Sequence, residues 1–200
     1  MMTRVSSILV VLAIALLVTG CAKAPQEELK TSEDALANAQ LAEAPDYAPA
    51  SYQQAMDSLN AAKVEIQAQD SKFALFRGYG RAKELLAAAA RLGDQAVTDA
   101  QAAKEQVRLE DSTLITQIDG LLVTAKDALA KAPKGKGTKA DLDLIAADLA
   151  SIEAAQAAAL ADFNGGKFLV AKPKLEGVVS GLNRIVSDIE AAKAKASGKR

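Results

Sequence analysis

The longest unbroken pattern in the sequence covers residues 72–131, a stretch of 60 residues without proline. Apolar residues recur along it at steps of three and four, the spacing that places them on one face of an α-helix. A continuous helix of this length would extend for roughly 90 Å at 1.5 Å per residue. The alternative is a break near Glu110-Asp111-Ser112, because the Ser112 hydroxyl could cap a new helix. The sequence favours a continuous helix with at most a kink.

Composition favours the same kind of fold. Half of the residues are hydrophobic, but only 4% are aromatic and 44 are alanine. Alanine has the highest helix propensity and almost no side chain to bury, so we expect long helices with closely spaced contacts. The predicted fold class is all-α: an elongated antiparallel bundle of two helical hairpins, which one long central helix could join.

The N-terminal residues 3–21 have the pattern of a cleaved export signal. Arg4 provides a positive charge, residues 5–18 are apolar, and small residues precede the only cysteine in Val18-Thr19-Gly20-Cys21. The pattern resembles a bacterial lipoprotein signal, in which cleavage between Gly20 and Cys21 leaves the cysteine carrying diacylglycerol and palmitate chains. A retained transmembrane helix and an ordinary secretory signal are the alternatives. However, the apolar run is shorter than the roughly 20 residues that span a bilayer, and an ordinary signal needs no cysteine there.

By the same resemblance, the lipid would hold the protein on the periplasmic face of the outer membrane. In Gram-negative sorting, an Asp directly after the lipidated cysteine disfavours that destination, and Ala22 stands there instead. Several acyl chains make such an anchor stable, whereas a single chain would be marginal. Whether the host is Gram-negative or Gram-positive stays open.

Breaks in the helical pattern divide the rest of the chain. The expected segments are a signal peptide at 1–20, a tether at 21–30, a helical domain at 31–196 with halves 31–110 and 111–196, and a basic tail at 197–200. The first helix would run from Thr31, whose hydroxyl can cap it, to Glu43. Two prolines at 44–49 would end it, because proline donates no backbone hydrogen bond. A second helix would begin at Ser51 and bury Tyr52, Ala55, Met56, Leu59, Ala62 and Ile66.

The second half repeats this plan. Its expected elements are a loop at 132–138, a helix at 139–163, a turn at 164–166, a helix from about Lys167, and a tail that frays from Ala191. Lys167-Phe168 follows the turn just as Lys72-Phe73 follows Asp70-Ser71 in the first half. Each half therefore reads as a helical hairpin, and packing two of them would bury faces that neither buries alone.

A family resemblance can be named from the first half. Ala44-Pro-Asp-Tyr-Ala-Pro49, the Tyr52-x-x-Ala55 step and the Asp70-Ser-Lys-Phe73 turn before an alanine-rich helix look like a family of bacterial envelope lipoproteins known only as a domain of unknown function. The likeness covers about residues 31–105, and those proteins are similar to tetratricopeptide hairpins. It implies an envelope location and a helical fold, with no established activity.

Few residues are suited to catalysis, metal binding or nucleic acid binding. His is absent and Cys21 is committed to lipid, so the usual general base, the thiolate nucleophile and most zinc ligands are missing. Asp141 and Asp143 are the best carboxylate pair, but capping at a helix start explains them. Cleavage before Cys21 would leave 23 basic and 25 acidic residues, too balanced to hold nucleic acid. We therefore expect no enzymatic activity, cofactor or metal.

Two surface features have both a functional and a structural interpretation. Four lysines around the loop could contact anionic lipid or lipopolysaccharide phosphates, although a solvated basic turn explains them as well: Lys131, Lys134, Lys136 and Lys139. Phe73, Phe76 and Tyr79 could form an aromatic strip for a ligand, but residues spaced by three usually mark a buried helix face. Gly78 and Gly80 beside them suit a close approach of helices, so core packing is expected.

These observations lead to one functional hypothesis and one alternative. The leading hypothesis is a lipid-anchored, non-catalytic scaffold or adaptor of the bacterial cell envelope, bound to the membrane through its anchor and to an envelope protein partner. The alternative is a binding module that holds a lipid or a peptide in a groove between helices.

Overall fold

The computed structural model describes residues 23–133, 135 and 138–198. Regular structure in these residues is entirely helical, so the prediction of an all-α fold is confirmed. The elements are α1 Gln26–Leu41, α2 Ala44–Tyr47, α3 Pro49–Asp70, a 3-10 turn Ala74–Phe76, α4 Gly80–Ala130, α5 Lys139–Asn164 and α6 Phe168–Ala196. They form two compact units, the first ending at Ala103 and the second starting at Lys104, and α4 contributes to both.

Helix α1 begins earlier than expected, at Gln26, so the predicted start at Thr31 and the predicted tether to residue 30 are wrong. Thr31 Oγ1 donates to the Glu27 carbonyl oxygen at 2.9 Å, and the buried Ser32 hydroxyl donates to the Leu29 carbonyl oxygen at 2.8 Å. Hydroxyls that bond back to the preceding turn are compatible with a helix interior. The helix instead begins after Pro25, with two glutamates in its first turn, where the helix dipole favours negative charge.

Residues 44–49, which contain Pro45 and Pro49, separate α1 from α3 and also form the starts of α2 and α3. Helix α1 ends at Leu41, and Glu43 adopts a left-handed conformation with φ of 60°. Pro45 then lies in the first turn of the short α2, and Pro49 is the first residue of α3. Proline is tolerated at such positions because the first backbone N–H groups of a helix have no partner within the helix.

The core of the first unit is the expected face of α3 packed against α1 and α4. Its buried residues are Leu36, Ala55, Leu59, Ala62, Ile66, Tyr79, Ala82, Leu86 and Ala89, with Tyr52 and Met56 partly buried beside them. Small residues let the helices approach closely: a Cβ added to Gly93 would lie 3.0 Å from the Cβ of Ala35. The predicted apolar face of the second helix is confirmed.

The long helix α4 is continuous through Glu110-Asp111-Ser112, which confirms the preferred interpretation over a break. Its predicted start at residue 72 is wrong, because residues 71–79 form a turn and α4 begins only at Gly80. The helix is therefore 51 residues long.

The second unit is the end of α4 packed against a hairpin of α5 and α6. The hairpin faces meet as predicted, and Gly166, in its turn, adopts a φ of 74° that favours glycine. Its core contains Ile118, Ala125, Leu142, Ile145, Leu149, Ala171, Leu175, Val178, Leu182, Ile185 and Ile189. Helix α6 continues to Ala196, so the expected fraying from Ala191 is wrong. Ala192 is buried, and Lys195 pairs with Asp141 across the hairpin at 2.9 Å.

Candidate functional site

The predicted lipidation site and half of the predicted basic cluster lie outside the described residues. This applies to Gly20, Cys21, Lys134 and Lys136. The structure therefore gives no geometry for the anchor itself.

The two described lysines of the basic cluster are exposed, and each forms an ion pair with a carboxylate four residues away in the chain. Lys131 Nζ lies 2.7 Å from Asp127, and Lys139 Nζ lies 2.6 Å from Asp143. The hydrogen bond from Lys139 to Asp143 raises the pKa of that lysine. Exposed pairs four residues apart contribute little to stability, so they would not prevent either lysine from exchanging its carboxylate for a phosphate.

The predicted burial of the three aromatic residues is correct for only one of them. Tyr79 is 4% exposed, whereas Phe73 and Phe76 are 70% and 75% exposed. The helix expected there is interrupted by the 3-10 turn, which directs both phenylalanines outward. Gly78 and Gly80 have no other group within 4 Å of an added Cβ, so the close helix approach expected beside them is also wrong. We call residues 71–79 the aromatic turn.

Side chains from both ends hold the aromatic turn in place. Arg77 donates from Nε to the Lys72 carbonyl oxygen at 3.0 Å and from Nη2 to the Asp70 carbonyl oxygen at 2.9 Å. Gln69 Oε1 accepts from the Gly78 amide at 3.0 Å and from Lys72 Nζ at 3.1 Å. These bonds satisfy backbone groups that leave the helical pattern, so the turn is ordered before it meets any partner.

The end of the turn is attached to α3 by a tyrosine. The Tyr79 hydroxyl donates to Asp70 Oδ1 at 2.5 Å, and this bond is the main reason that the pKa of Tyr79 is raised. Because Tyr79 also packs in the first core, the same side chain connects the turn to the hydrophobic interior.

The outer surface of the aromatic turn is apolar, and the segment that carries it is rich in basic residues. Phe73, Leu75 and Phe76 are all exposed, and the two rings pack with centroids 6.3 Å apart. Between positions 70 and 81 the chain carries Lys72, Arg77 and Arg81 against one carboxylate, Asp70. A contiguous exposed apolar surface with a polar rim is typical of an interaction site.

A second unusual feature is a buried acid in α4. Asp111 is fully buried, and neither of its carboxylate oxygens accepts a hydrogen bond from any described residue. Burial raises its pKa; Lys172 of α6 opposes the shift, while Glu110 and Glu176 add to it. Lys172 forms an ion pair with Glu110, so its ammonium group is already neutralised next to Asp111.

Sequence reasoning missed Asp111, although a signal for it was present. Asp111 lies four residues after Val107 and seven before Ile118, so it occupies the apolar face of α4. Its position in Glu110-Asp111-Ser112 instead suggests a helix break. The helical register carried the information, because a charged residue on an apolar face is buried when the helix does not break.

Among the described residues, α5 and α6 border an open cavity of about 350 Å³ and, further along the hairpin, another of similar size. The first is mostly apolar and is lined by Ile152, Ala155, Ala158, Lys174, Gly177 and Val178. The second lies nearer the end of the hairpin and includes three aspartates, of which Asp141 already pairs with Lys195. Within the described part of the chain, no three His, Cys, Asp or Glu side chains are grouped so as to hold a metal ion.

Helix α5 is the one described helix long and apolar enough to cross a membrane, with a mean hydropathy of 1.4 over its most apolar window. Length and composition alone do not separate such a span from a helix packed in a bundle, and α5 packs along α6 through Leu142, Ile145 and Leu149. Much of its exposed surface is alanine, which raises hydropathy without requiring lipid.

Comparison with protein-family models, with curated proteins and with solved structures finds no match for this chain.

Proposed function

We propose that the protein is a lipid-anchored, non-catalytic helical scaffold or adaptor of the bacterial cell envelope. Cys21 carries the lipid, and the protein resides on the periplasmic face of the outer membrane. The observation that carries this proposal is the apolar run at residues 5–18 followed by Val18-Thr19-Gly20-Cys21. The envelope lipoproteins that the first half resembles would have the same cellular location.

The folded part supports a scaffold role in two ways. Pro25 and the start of α1 leave only four residues between Cys21 and Gln26, so the anchor would hold the first unit close to the membrane. Each of the two units has hydrophobic core residues of its own, so each offers a separate helical surface to a partner. A protein partner of the envelope is part of the proposal.

Processing at Cys21 tests the anchor. In a Gram-negative host, the wild-type chain should incorporate a palmitate analogue, accumulate as a precursor with globomycin, and fractionate with the outer membrane. Cys21→Ala should abolish labelling, whereas Ala22→Asp should keep the label and redirect the protein away from the outer membrane. A wild-type chain that is unlabelled, or cleaved at another residue, would refute the proposal.

The first cavity between α5 and α6 favours a second candidate function, that of a binding module for a lipid or a peptide. Its walls are apolar, and Lys174 at the edge lies 2.5 Å from Asp162, an ion pair that a ligand carboxylate could replace. Gly177→Leu should fill this cavity, because no other group lies within 4 Å of an added Cβ. Native mass spectrometry with a fatty acid would show a complex that Gly177→Leu loses and Gly120→Leu keeps. Equal complexes in both variants would exclude this cavity as the binding site.

A further inference from the structure

The aromatic turn lies at the same end of the first unit as the start of the described chain. Glu28 of α1 pairs with Lys83 of α4 at 2.7 Å, and Glu33 of α1 pairs with Lys63 of α3 at 2.8 Å. Together with the Ala35–Gly93 approach, these pairs set α1 parallel to α4 and antiparallel to α3. The first residues of α1 are therefore level with the turn between α3 and α4.

Packing of the first described residues agrees with this register. Ala24 packs against the core cluster that contains Ile66 and Tyr79. Cys21 is three residues before Ala24, and three residues span at most about 11 Å even when fully extended. An acyl chain on Cys21 would therefore begin within about 11 Å of Ala24, which is at the same end of the first unit as the turn.

The chemistry of the turn matches the surface that this lipid would enter. Phe73, Leu75 and Phe76 offer exposed apolar groups, and the rings suit the boundary between headgroups and acyl chains. Lys72, Arg77 and Arg81 belong to the same short segment, and cations near a bilayer are attracted to anionic headgroups.

The cations of the turn have weak partners within the protein. Arg81 pairs with Glu84 at 3.3 Å, an exposed contact that a phosphate could replace, and Lys72 Nζ donates to the neutral Gln69 side chain. The one carboxylate of the segment, Asp70, accepts the Tyr79 hydroxyl, and Arg77 donates to backbone carbonyls rather than to an acid. Because these bonds order the turn in advance, little conformational entropy would be lost when it inserts.

We propose that the aromatic turn is a second membrane contact. Phe73, Leu75 and Phe76 insert into the interface of an anionic phospholipid bilayer, and Lys72, Arg77 and Arg81 bind the headgroup phosphates. With the lipid on Cys21, this contact fixes how the first unit is oriented on the membrane. The proposal rests on the proposed anchor only for that orientation, since the turn itself should bind vesicles without the lipid.

A chain beginning at Ala22 tests the turn independently of lipidation. Every residue of the described cores lies between Ala24 and Ala192, so this chain keeps them all. It should cosediment with vesicles containing anionic phospholipid and more weakly with zwitterionic vesicles. Phe73→Ser combined with Phe76→Ser should reduce partitioning by about ten- to a hundredfold, because partial burial of each ring in the interface contributes a factor of roughly three to ten.

Matched variants distinguish this contact from non-specific hydrophobic adsorption to the vesicles. Val123→Ser combined with Leu144→Ser removes apolar groups that are 70% and 68% exposed elsewhere, and it should leave partitioning unchanged. Lys72→Gln and Arg81→Gln should each weaken binding to anionic vesicles about fivefold, with little effect on zwitterionic ones. Circular dichroism would verify that every variant keeps the helical content of the parent chain.

A depth measurement tests the orientation. The chain from Ala22 contains no cysteine, so a fluorophore can be placed at Phe76→Cys in the turn or at Leu41→Cys, which is exposed at the other end of α1. When the chain is tethered to vesicles by an N-terminal affinity tag, spin-labelled lipids should quench the probe at 76 more strongly than the probe at 41.

Three outcomes would overturn the proposal: no binding of the chain from Ala22 to anionic vesicles, equal loss in the aromatic and control double variants, or equal quenching at both probe positions. The proposal would also be overturned if the aromatic double variant still bound vesicles but no longer crosslinked to an envelope protein that the parent chain captures through the turn. That result would assign the surface to a protein partner. None of these results depends on Cys21, so a failure of the proposed lipidation would be recognised separately.

Discussion

Replacing Asp111 with Asn should stabilise the second unit at neutral pH. The wild-type carboxylate is fully buried without a hydrogen-bond donor, and an unsatisfied buried polar group costs about 1–3 kcal/mol, more when it is charged. The amide has nearly the same shape and removes the charge, although it also loses the attraction of Lys172. We expect a net gain of about 1 kcal/mol in the free energy of unfolding.

The pH dependence of this gain identifies its cause. Burial raises the pKa of Asp111 above its ordinary value of 3.8, so the folded protein binds a proton more readily than the unfolded chain. The contribution of Asp111 to stability is therefore most favourable below pH 3.8 and is lost as the pH rises through the raised pKa. The advantage of Asp111→Asn should be absent at the acidic end and complete above that pKa.

Urea denaturation followed by circular dichroism at a series of pH values would measure this difference. Asp188→Asn serves as the matched control, because Asp188 is an exposed carboxylate on α6 and should show no comparable gain. A variant Asp111→Asn that is less stable than wild type at neutral pH would refute the reasoning. It would mean that Lys172, despite its pairing with Glu110, stabilises the charged form more than burial destabilises it.

Two further predictions concern the first unit and α4. Gly93→Ala should lower the free energy of unfolding by about 1–3 kcal/mol, because the new methyl group would meet Ala35. Gly120→Ala has open space around its new methyl group and should raise the free energy of unfolding by up to about 1 kcal/mol. Urea denaturation would measure both effects. Equal effects at both glycines would contradict the close approach. The bond to Asp70 raises the pKa of Tyr79, so the wild-type protein should lose stability above pH 10 as the hydroxyl proton leaves. Tyr79→Phe has no such proton, so its free energy of unfolding should fall less steeply over the same pH range. An unchanged alkaline profile would contradict it.

The helical faces could be predicted from sequence because they depend on a local period. Leu59 and Ile66 in α3, and Leu142 and Leu149 in α5, recur at steps that only a helix brings to one side, and all are buried. The continuity of α4 could be predicted for the same reason, since no proline interrupts it.

The boundaries and the aromatic turn could not be predicted in this way. The start of α1 was placed at Thr31 because a hydroxyl can cap a helix, but the same hydroxyl can bond back to the preceding turn, and the sequence does not distinguish these uses. The turn depends on Arg77 and Gln69 satisfying backbone groups of residues 70–78, contacts that no local period encodes. Phe73 and Phe76 therefore satisfied a helical spacing without lying in a helix.

No residue in the middle of α4 is fully buried. Ala100 and Asp111 are buried, but none of the ten residues between them is. Main-chain hydrogen bonds and helix-surface pairs such as Glu105–Arg108 stabilise this stretch, and Glu110 at its end also pairs with Lys172 of α6. Local opening of this stretch would expose little apolar surface, so its amides should exchange with solvent sooner than those in either core. The two units could then unfold as separate cooperative blocks even though a single helix belongs to both.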